Sequence, residues 1–275
     1  MRIVKINNIK IGAKNPLCLI AGPCVIEGEE IVLRIATKIK KITEKLNMPF
    51  IFKSSYKKDN RSSAESYQGP GLEKGLKILE KVKKKLDVPV LSDVHGIEEV
   101  DVAAEVLDVI QIPAYLSMQT SLTLKVGKTG KPVNVKKGQF LHPLDMKNVI
   151  GKLEFTGNYN ILLTERGSCF GYRQLVADMK SLPMMRSLGY PVVLDSTHII
   201  RNYGISSSAP AGGSPEYIPH ISRAGVAAGC DAIFIETHDN LCEALCDASS
   251  MLPLEKLKDL LAQLIEIDHI VRGNI

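Results

Sequence analysis

Eight short apolar runs, rich in β-branched residues, recur along the chain, and each carries or ends at a polar residue of a kind that does chemistry. They are LCLIAGPC ending at Cys24, PFIFKSS with Lys53, VPVLSD ending at Asp93, DVIQIP with Gln111, PVNVKK with Lys136, NILLTER ending at Arg166, PVVLDSTH ending at His198 and DAIFIETH with Glu236. Short continuous apolar runs of this kind predict buried parallel strands. Between them, stretches such as EEIVLRIATKIKKITEKL (29–46) and GLEKGLKILEKVKKKL (71–86) place apolar residues at helical spacing. HGIEEVDVAAEVL, SLTLKV, MKNVIGKLE, YRQLVADMKSLPMMRSLG (172–189), SPEYIPHISRAGVAAG and PLEKLKDLLAQLIEIDHIV supply the remaining helices. The opening MRIVKINNIKIG alternates about Asn7-Asn8 and reads as a hairpin.

Eight strand–helix units with no break in composition predict an α/β fold, a single (β/α)8 TIM barrel with an N-terminal β-hairpin. The hairpin is assigned to 1–15 and the barrel to 16–275. Such a barrel gathers its C-terminal strand ends on one face, so the polar residues that close the eight runs become neighbours.

Composition narrows the setting. The chain has 275 residues and is 45% hydrophobic, enough for a sizeable core, and its +5 net charge is interspersed with Glu along helical stretches. No basic block carries interleaved aromatics, which argues against a nucleic-acid partner. Six cysteines in a chain this long do not make a disulfide framework, and reduced, cytoplasmic thiols are expected. The polar start lacks the apolar centre of a signal peptide, and no run approaches a membrane span.

Two constellations could carry chemistry. Lys53, Lys58, Arg61, Lys136, Lys137 and Arg166 lie at or just beyond three strand ends. Converging cations repel one another unless an anion joins them, and phosphate and carboxylate suit Arg forks and Lys point charges. The plainer alternative is surface charge that merely flanks strands. Asn60, Arg61, Ser62 and Ser63 add donors suited to phosphate. Cys24, His198, Glu236 and Asp247 offer mixed S, N and O ligands fit for a borderline divalent cation, Zn²⁺, Fe²⁺ or Mn²⁺. Against this, a Cys in an apolar run often serves only as a small core residue. Cys242 and Cys246 are spaced to share a helix face, but lack a nearby His pair. His238, two after Glu236, points to the same side of a continuing strand.

At these residues the chain resembles the 3-deoxy-D-manno-octulosonate 8-phosphate synthases. The resemblance rests on LIAGPCVIE (19–27), FKSSYKKDNRSS (52–63), GPGLEKGLKIL (69–79), DVHG (93–96), QIPAYL (111–116), KTGKPVNVKKGQF (128–140), TERGSCFGY (164–172), DSTH (195–198), IETH (235–238) and MLPL (251–254). It implies a cytoplasmic homotetrameric transferase of lipopolysaccharide carbohydrate biosynthesis, which joins phosphoenolpyruvate to an aldose phosphate. Carried over residue by residue, Lys53, Lys58, Asp93, Lys136 and His198 would be catalytic. Ser55, Gln111, Ala114, Lys137 and Arg166 would bind phosphoenolpyruvate, and Asn60, Arg61 and Ser62 would face the aldose phosphate. Cys24 matches the metal-dependent branch, with His198, Glu236 and Asp247 as its other ligands.

Departures gather on the aldose side. Met118 stands where the family shows an Arg that reaches a neighbouring subunit's aldose phosphate, Asp59 replaces Ala, Gln68 replaces Arg, and Ile199 to Tyr203 and Asp239 to Leu241 differ. They raise the expectation that the chemistry is kept on a different aldehyde, or that Arg201 replaces the missing Arg. A heptulosonate phosphate synthase acting on erythrose 4-phosphate is a further alternative, disfavoured by Lys58-Asp59-Asn60-Arg61-Ser62. An inert sugar-phosphate-binding barrel is another, disfavoured by the intact ligand set.

Overall fold

The computed structural model describes residues 1–61, 63–169, 171, 173–206 and 209–273. Strands β1 (Val4–Ile6) and β2 (Ile9–Ile11) form an antiparallel hairpin, turned at Asn7 with φ 52°. The barrel follows as β3 (Cys18–Gly22), β4 (Phe50–Lys53), β5 (Val90–Asp93), β6 (Val109–Ile112), β7 (Val133–Lys136), β8 (Ile161–Glu165), β9 (Val192–Asp195) and β10 (Ala232–His238). All eight pair in parallel, and β10 closes on β3 with Ala232 opposite Cys18. A two-residue strand, β11 (Leu252–Pro253), extends β10. Helices α1 (Glu29–Lys45), α2 (Leu72–Leu86), α3 (Val100–Val106), α4 (Thr120–Lys128), α5 (Met146–Phe155), α6 (Ser181–Arg186), α7 (Ile218–Ala227) and α8 (Leu257–Gly273) follow successive barrel strands.

The core is layered by the two-residue period of the strands. One face of each strand meets the helices in a continuous apolar layer that includes Leu19, Phe52, Ile110, Leu163 and Leu194. On the other parity, Cys18, Ile20, Ile51, Leu91, Val109, Leu162, Val193, Ala232 and Phe234 cluster with Val4, Ile6, Ile9 and Ile11 of the hairpin. The hairpin therefore plugs the base of the barrel with apolar side chains. Two residues further along these same strands the inward positions become Lys53, Asp93, Gln111, Thr164, Asp195 and Glu236. At Gly22, a Cβ would stand 2.0 Å from the Lys53 carbonyl oxygen, so glycine lets β3 and β4 lie together at the rim of this polar layer.

One predicted element differs. The helix expected over 172–189 is confined to α6, and of the rest Tyr172 lies outside the described residues. The stretch before α6 pairs instead with neighbouring loops: Val176 and Ser168 exchange backbone hydrogen bonds at 2.9 and 3.0 Å, and Tyr203 N donates to Arg173 O at 2.9 Å. These long-range partners satisfy the backbone that a helix would otherwise have paired, and they override the apolar spacing.

Candidate active site

The polar layer that succeeds the apolar plug is a lattice of buried ion pairs. Lys53, 1% exposed, donates to Glu236 Oε1 at 2.7 Å and to Cys24 O at 3.1 Å. Lys58 Nζ lies 3.9 Å from the same carboxylate oxygen. Burial opposes ionisation of Glu236, but Lys53, His198 and Lys58 outweigh it and bring its carboxyl down to about 2. Asp93 accepts a hydrogen bond from Ser55 Oγ and lies 3.3 Å from His95 Nε2. Burial likewise opposes its charge, and Lys58 and Lys53 hold it well below the usual carboxylate range.

Asp195 is the hub on the opposite side, and sequence reasoning did not single it out. One carboxylate oxygen accepts from Thr197 N, Thr197 Oγ1 and His198 N at 3.0–3.2 Å. The other meets Lys136 Nζ and, at 2.8 Å, His198 Nδ1. His198 and Lys136 keep Asp195 charged although its burial opposes that. Lys136 shares its one carboxylate with His198 and lies near Lys53, so burial brings its pKa down to about 8. Its Nζ also sits 3.3 Å from the centre of the Phe234 ring. The signal for Asp195 was present in the sequence as the last residue of its apolar run.

The expected cation cluster is thus largely compensated from within, which changes the argument for an anion. Lys53, Lys58 and Lys136 have carboxylate partners, and Lys137, on the other parity, lies 3.5 Å from Glu165 and donates to Ser168 Oγ at 2.9 Å. Arg166 is different. It is 5% exposed, and its Nη1 has no hydrogen-bond partner among the described residues. An unpaired buried guanidinium nitrogen is costly, and a phosphate oxygen would satisfy it. Tyr203 lies 5.6 Å from the Arg166 guanidinium and accepts from Gln139 Nε2 at 3.3 Å. Gln111 Oε1 accepts from Asn134 at 2.9 Å, and Asn134 in turn accepts from Thr164 at 2.6 Å, so the layer's neutral members are paired. Ala114 is buried in a short turn after β6, where its carbonyl accepts from Ser117 Oγ.

The four metal candidates fall, together with Cys246, into two triads that share Asp247: Cys24 with Cys246, and His198 with Glu236. Within each triad the potential ligand atoms all lie within 4.8 Å of one another. With His198 Nδ1 2.8 Å from Asp195 Oδ2, Nε2 is turned toward Glu236 at 3.8 Å and Asp247 at 3.9 Å. A carboxylate that fixes the tautomer of a histidine in this way is the usual support of a metal-ligating imidazole. The residues therefore fit a divalent cation. Cys246 does not share a helix face with Cys242, because residues 239–247 form turns and bends rather than a helix. Cys242 is exposed, while Cys246 is buried with its Sγ 2.8 Å from Cys24 Sγ. His238 faces Glu27 at 3.5 Å and accepts from Asn240 N.

Sharing Asp93 and His95 with this lattice, a cleft of about 350 Å³ is also lined by Asp59, Asn60, Arg61, Pro113, Tyr115 and Leu116. Ser62 lies outside the described residues. Arg201, one candidate to stand in for the missing Arg, donates to Asp247 Oδ1 at 2.7 Å, and Met118 is exposed with its carbonyl bound by Lys152.

The sequence profile of the DAHP synthetase I family matches residues 1–272. Among similar proteins, the 2-dehydro-3-deoxyphosphooctonate aldolase of Trichlorobacter lovleyi is 53% identical over 269 residues, 98% of each chain. That of Geotalea uraniireducens is 52% identical over 269 residues, again 98% of each. That of Geobacter sulfurreducens is 51% identical over 271 residues, 98% of this chain and 99% of its own.

Proposed function

Because the chain belongs to the DAHP synthetase I family along nearly its whole length, we propose that it is a transferase condensing phosphoenolpyruvate, arabinose 5-phosphate and water to 3-deoxyoctulosonate 8-phosphate and inorganic phosphate. The observation that carries this reading is the buried lattice of Lys53, Lys58, Lys136 and Arg166, with Arg166 Nη1 left for an anion. Carbon number fixes the length of the aldehyde, and its identity as arabinose 5-phosphate rests on family resemblance. Relatives are named for an octonate, eight carbons, of which phosphoenolpyruvate supplies three, so the aldehyde partner has five. Erythrose 4-phosphate would give seven.

In the reaction, C3 of phosphoenolpyruvate forms a carbon–carbon bond with the aldehyde, and water adds to C2. The resulting hemiketal phosphate loses phosphate by C–O cleavage. Lys136 and Arg166 hold the phosphate, and Lys53 the carboxylate, with Ser55, Gln111, Ala114 and Lys137 framing them. Their charges, fixed before substrate arrives, stabilise negative charge at the aldehyde oxygen without reorganising. Asp93, held ionised, positions Lys58 and Ser55. Cys24, His198, Glu236 and Asp247 hold a divalent cation, which at this place supplies Lewis acidity or an acidified water. Zn²⁺, Fe²⁺ and Mn²⁺ all suit the mixed donors. Asn60 and Arg61, which line the cleft, face the aldose phosphate.

A second reading, the same chemistry on another aldehyde, is favoured by Asp59 in the cleft lining and by Met118, which cannot bind phosphate. Phosphate release measured with phosphoenolpyruvate and a panel of aldoses and aldose phosphates separates the two. Strong preference for arabinose 5-phosphate supports the first reading and removes the second, and absence of release with every aldehyde removes both.

A homotetramer is supported by family resemblance and by the exposed Tyr115, Met118, Phe140 and Leu144 after β6 and β7. A cytoplasmic setting suits the free thiols, among them the buried Cys24 and Cys246. No helix among the described residues is long and apolar enough to cross a membrane.

A further inference from the structure

We propose that Cys246 is a second thiolate ligand of the metal site, so that the centre holds its cation through two sulfurs and favours thiophilic Zn²⁺ or Fe²⁺ over Mn²⁺. The inference rests on the reading of Cys24, His198, Glu236 and Asp247 as metal ligands, and extends it to a residue 222 positions from Cys24 in sequence. The two sulfurs lie 2.8 Å apart, both residues are 1% exposed, and Asp247 Oδ2 is 3.3 Å from Cys24 Sγ.

The backbone between the two neighbouring donors is unusual. Asp247 has φ 52°, in the left-handed region that aspartate enters more readily than most residues. With that turn, the adjacent side chains of Cys246 and Asp247 both reach Cys24.

Charge points the same way. Arg61 Nη1 donates to Cys246 Sγ at 2.8 Å. A sulfur bound to a cation accepts such a bond more strongly than a free thiol does, so the contact suits Cys246 as a ligand. Two thiolates with Glu236 and Asp247 carry four negative charges. Arg61, 3.8 Å from Asp247 Oδ1, and Arg201, 2.7 Å from the same oxygen, join Lys53 and Lys58 beside Glu236 as the cations around this donor set. Soft sulfur donors favour Zn²⁺ and Fe²⁺, while Mn²⁺ prefers carboxylate and water, so each added thiolate moves selectivity in the same direction.

Metal binding can be read without turnover. Reduced apoprotein loaded with Co²⁺ is expected to show a near-ultraviolet sulfur-to-cobalt absorption, which halves in Cys246→Ser and is lost in the Cys24→Ser, Cys246→Ser double variant. Zn²⁺ affinity in Cys246→Ser is expected to fall about tenfold or more by chelator competition, with Mn²⁺ affinity nearly unchanged. An unchanged band and unchanged Zn²⁺ affinity in Cys246→Ser would overturn the proposal while leaving the four-ligand reading intact. Absence of the band in the unaltered protein would overturn both. X-ray absorption of the zinc-loaded, unaltered protein needs no variant: two sulfurs at about 2.3 Å support the proposal and a single sulfur rejects it.

Discussion

The strand-end layer and the loops above it carry similar charged residues, yet they treat them oppositely. Lys53, Lys136, Asp93, Asp195 and Glu236 are buried on the inward parity of barrel strands, and each has a partner on another strand or its following loop. Asp59 and Asn60, by contrast, are exposed on the long loop after β4, and Met118 follows β6. Charges fixed by a closed sheet hold one geometry before a ligand arrives, whereas charges on loops are set by local chain and can be exchanged.

The largest test of this contrast removes a layer cation. Lys53→Ala strips Glu236 of its 2.7 Å partner in a buried site, and urea unfolding should show a loss of about 3–5 kcal/mol. An unchanged midpoint would mean that the layer is not electrostatically closed. Next, Asp195→Asn leaves His198 without its anionic partner at Nδ1, and metal affinity measured by chelator competition should fall about 10–100-fold.

Lys136 sharpens the comparison through pH. Its folded-state pKa of about 8 lies below the ordinary lysine value, so the folded chain releases this proton before the unfolded one does. This residue's contribution to stability therefore rises with pH between about 8 and the ordinary lysine value near 10.4. Anion binding moves the other way: kcat/KM for phosphoenolpyruvate should decline above pH 8, and Lys136→Arg should shift that alkaline limb upward because guanidinium stays charged. A profile with no limb near 8 would remove Lys136 from the phosphate site. The smallest effect belongs to the loop: Asp59→Ala should change the KM for the aldose phosphate by no more than about 1 kcal/mol equivalent, since exposed charges interact weakly. A loss of binding as large as that from a layer variant would erase the distinction.

The barrel was legible because each strand buries both faces and then breaks its apolar run at the rim, so Lys53, Asp93, Gln111 and Glu236 could be assigned to one layer from spacing alone. Asp195 was equally visible as the end of its run but is eclipsed by His198, the more reactive neighbour three residues on. Cys246 was not legible. Its helical spacing to Cys242 misleads, and its true partner Cys24 is brought near only by closure of β10 on β3. The stretch before α6 failed similarly, because its backbone finds partners in other loops that no local pattern records.

The hairpin beneath the barrel has a kinetic consequence. With Val4, Ile6, Ile9 and Ile11 sealing the base, the interior is a blind well with a single mouth. A ligand held against Lys136 and Phe234 lies at the bottom of it, under whatever occupies the cleft lined by Asp59 and Tyr115. Under the proposed function, phosphoenolpyruvate as the deeper molecule would enter before the shallower aldose phosphate, and water displaced by the first would leave along the path that the second takes.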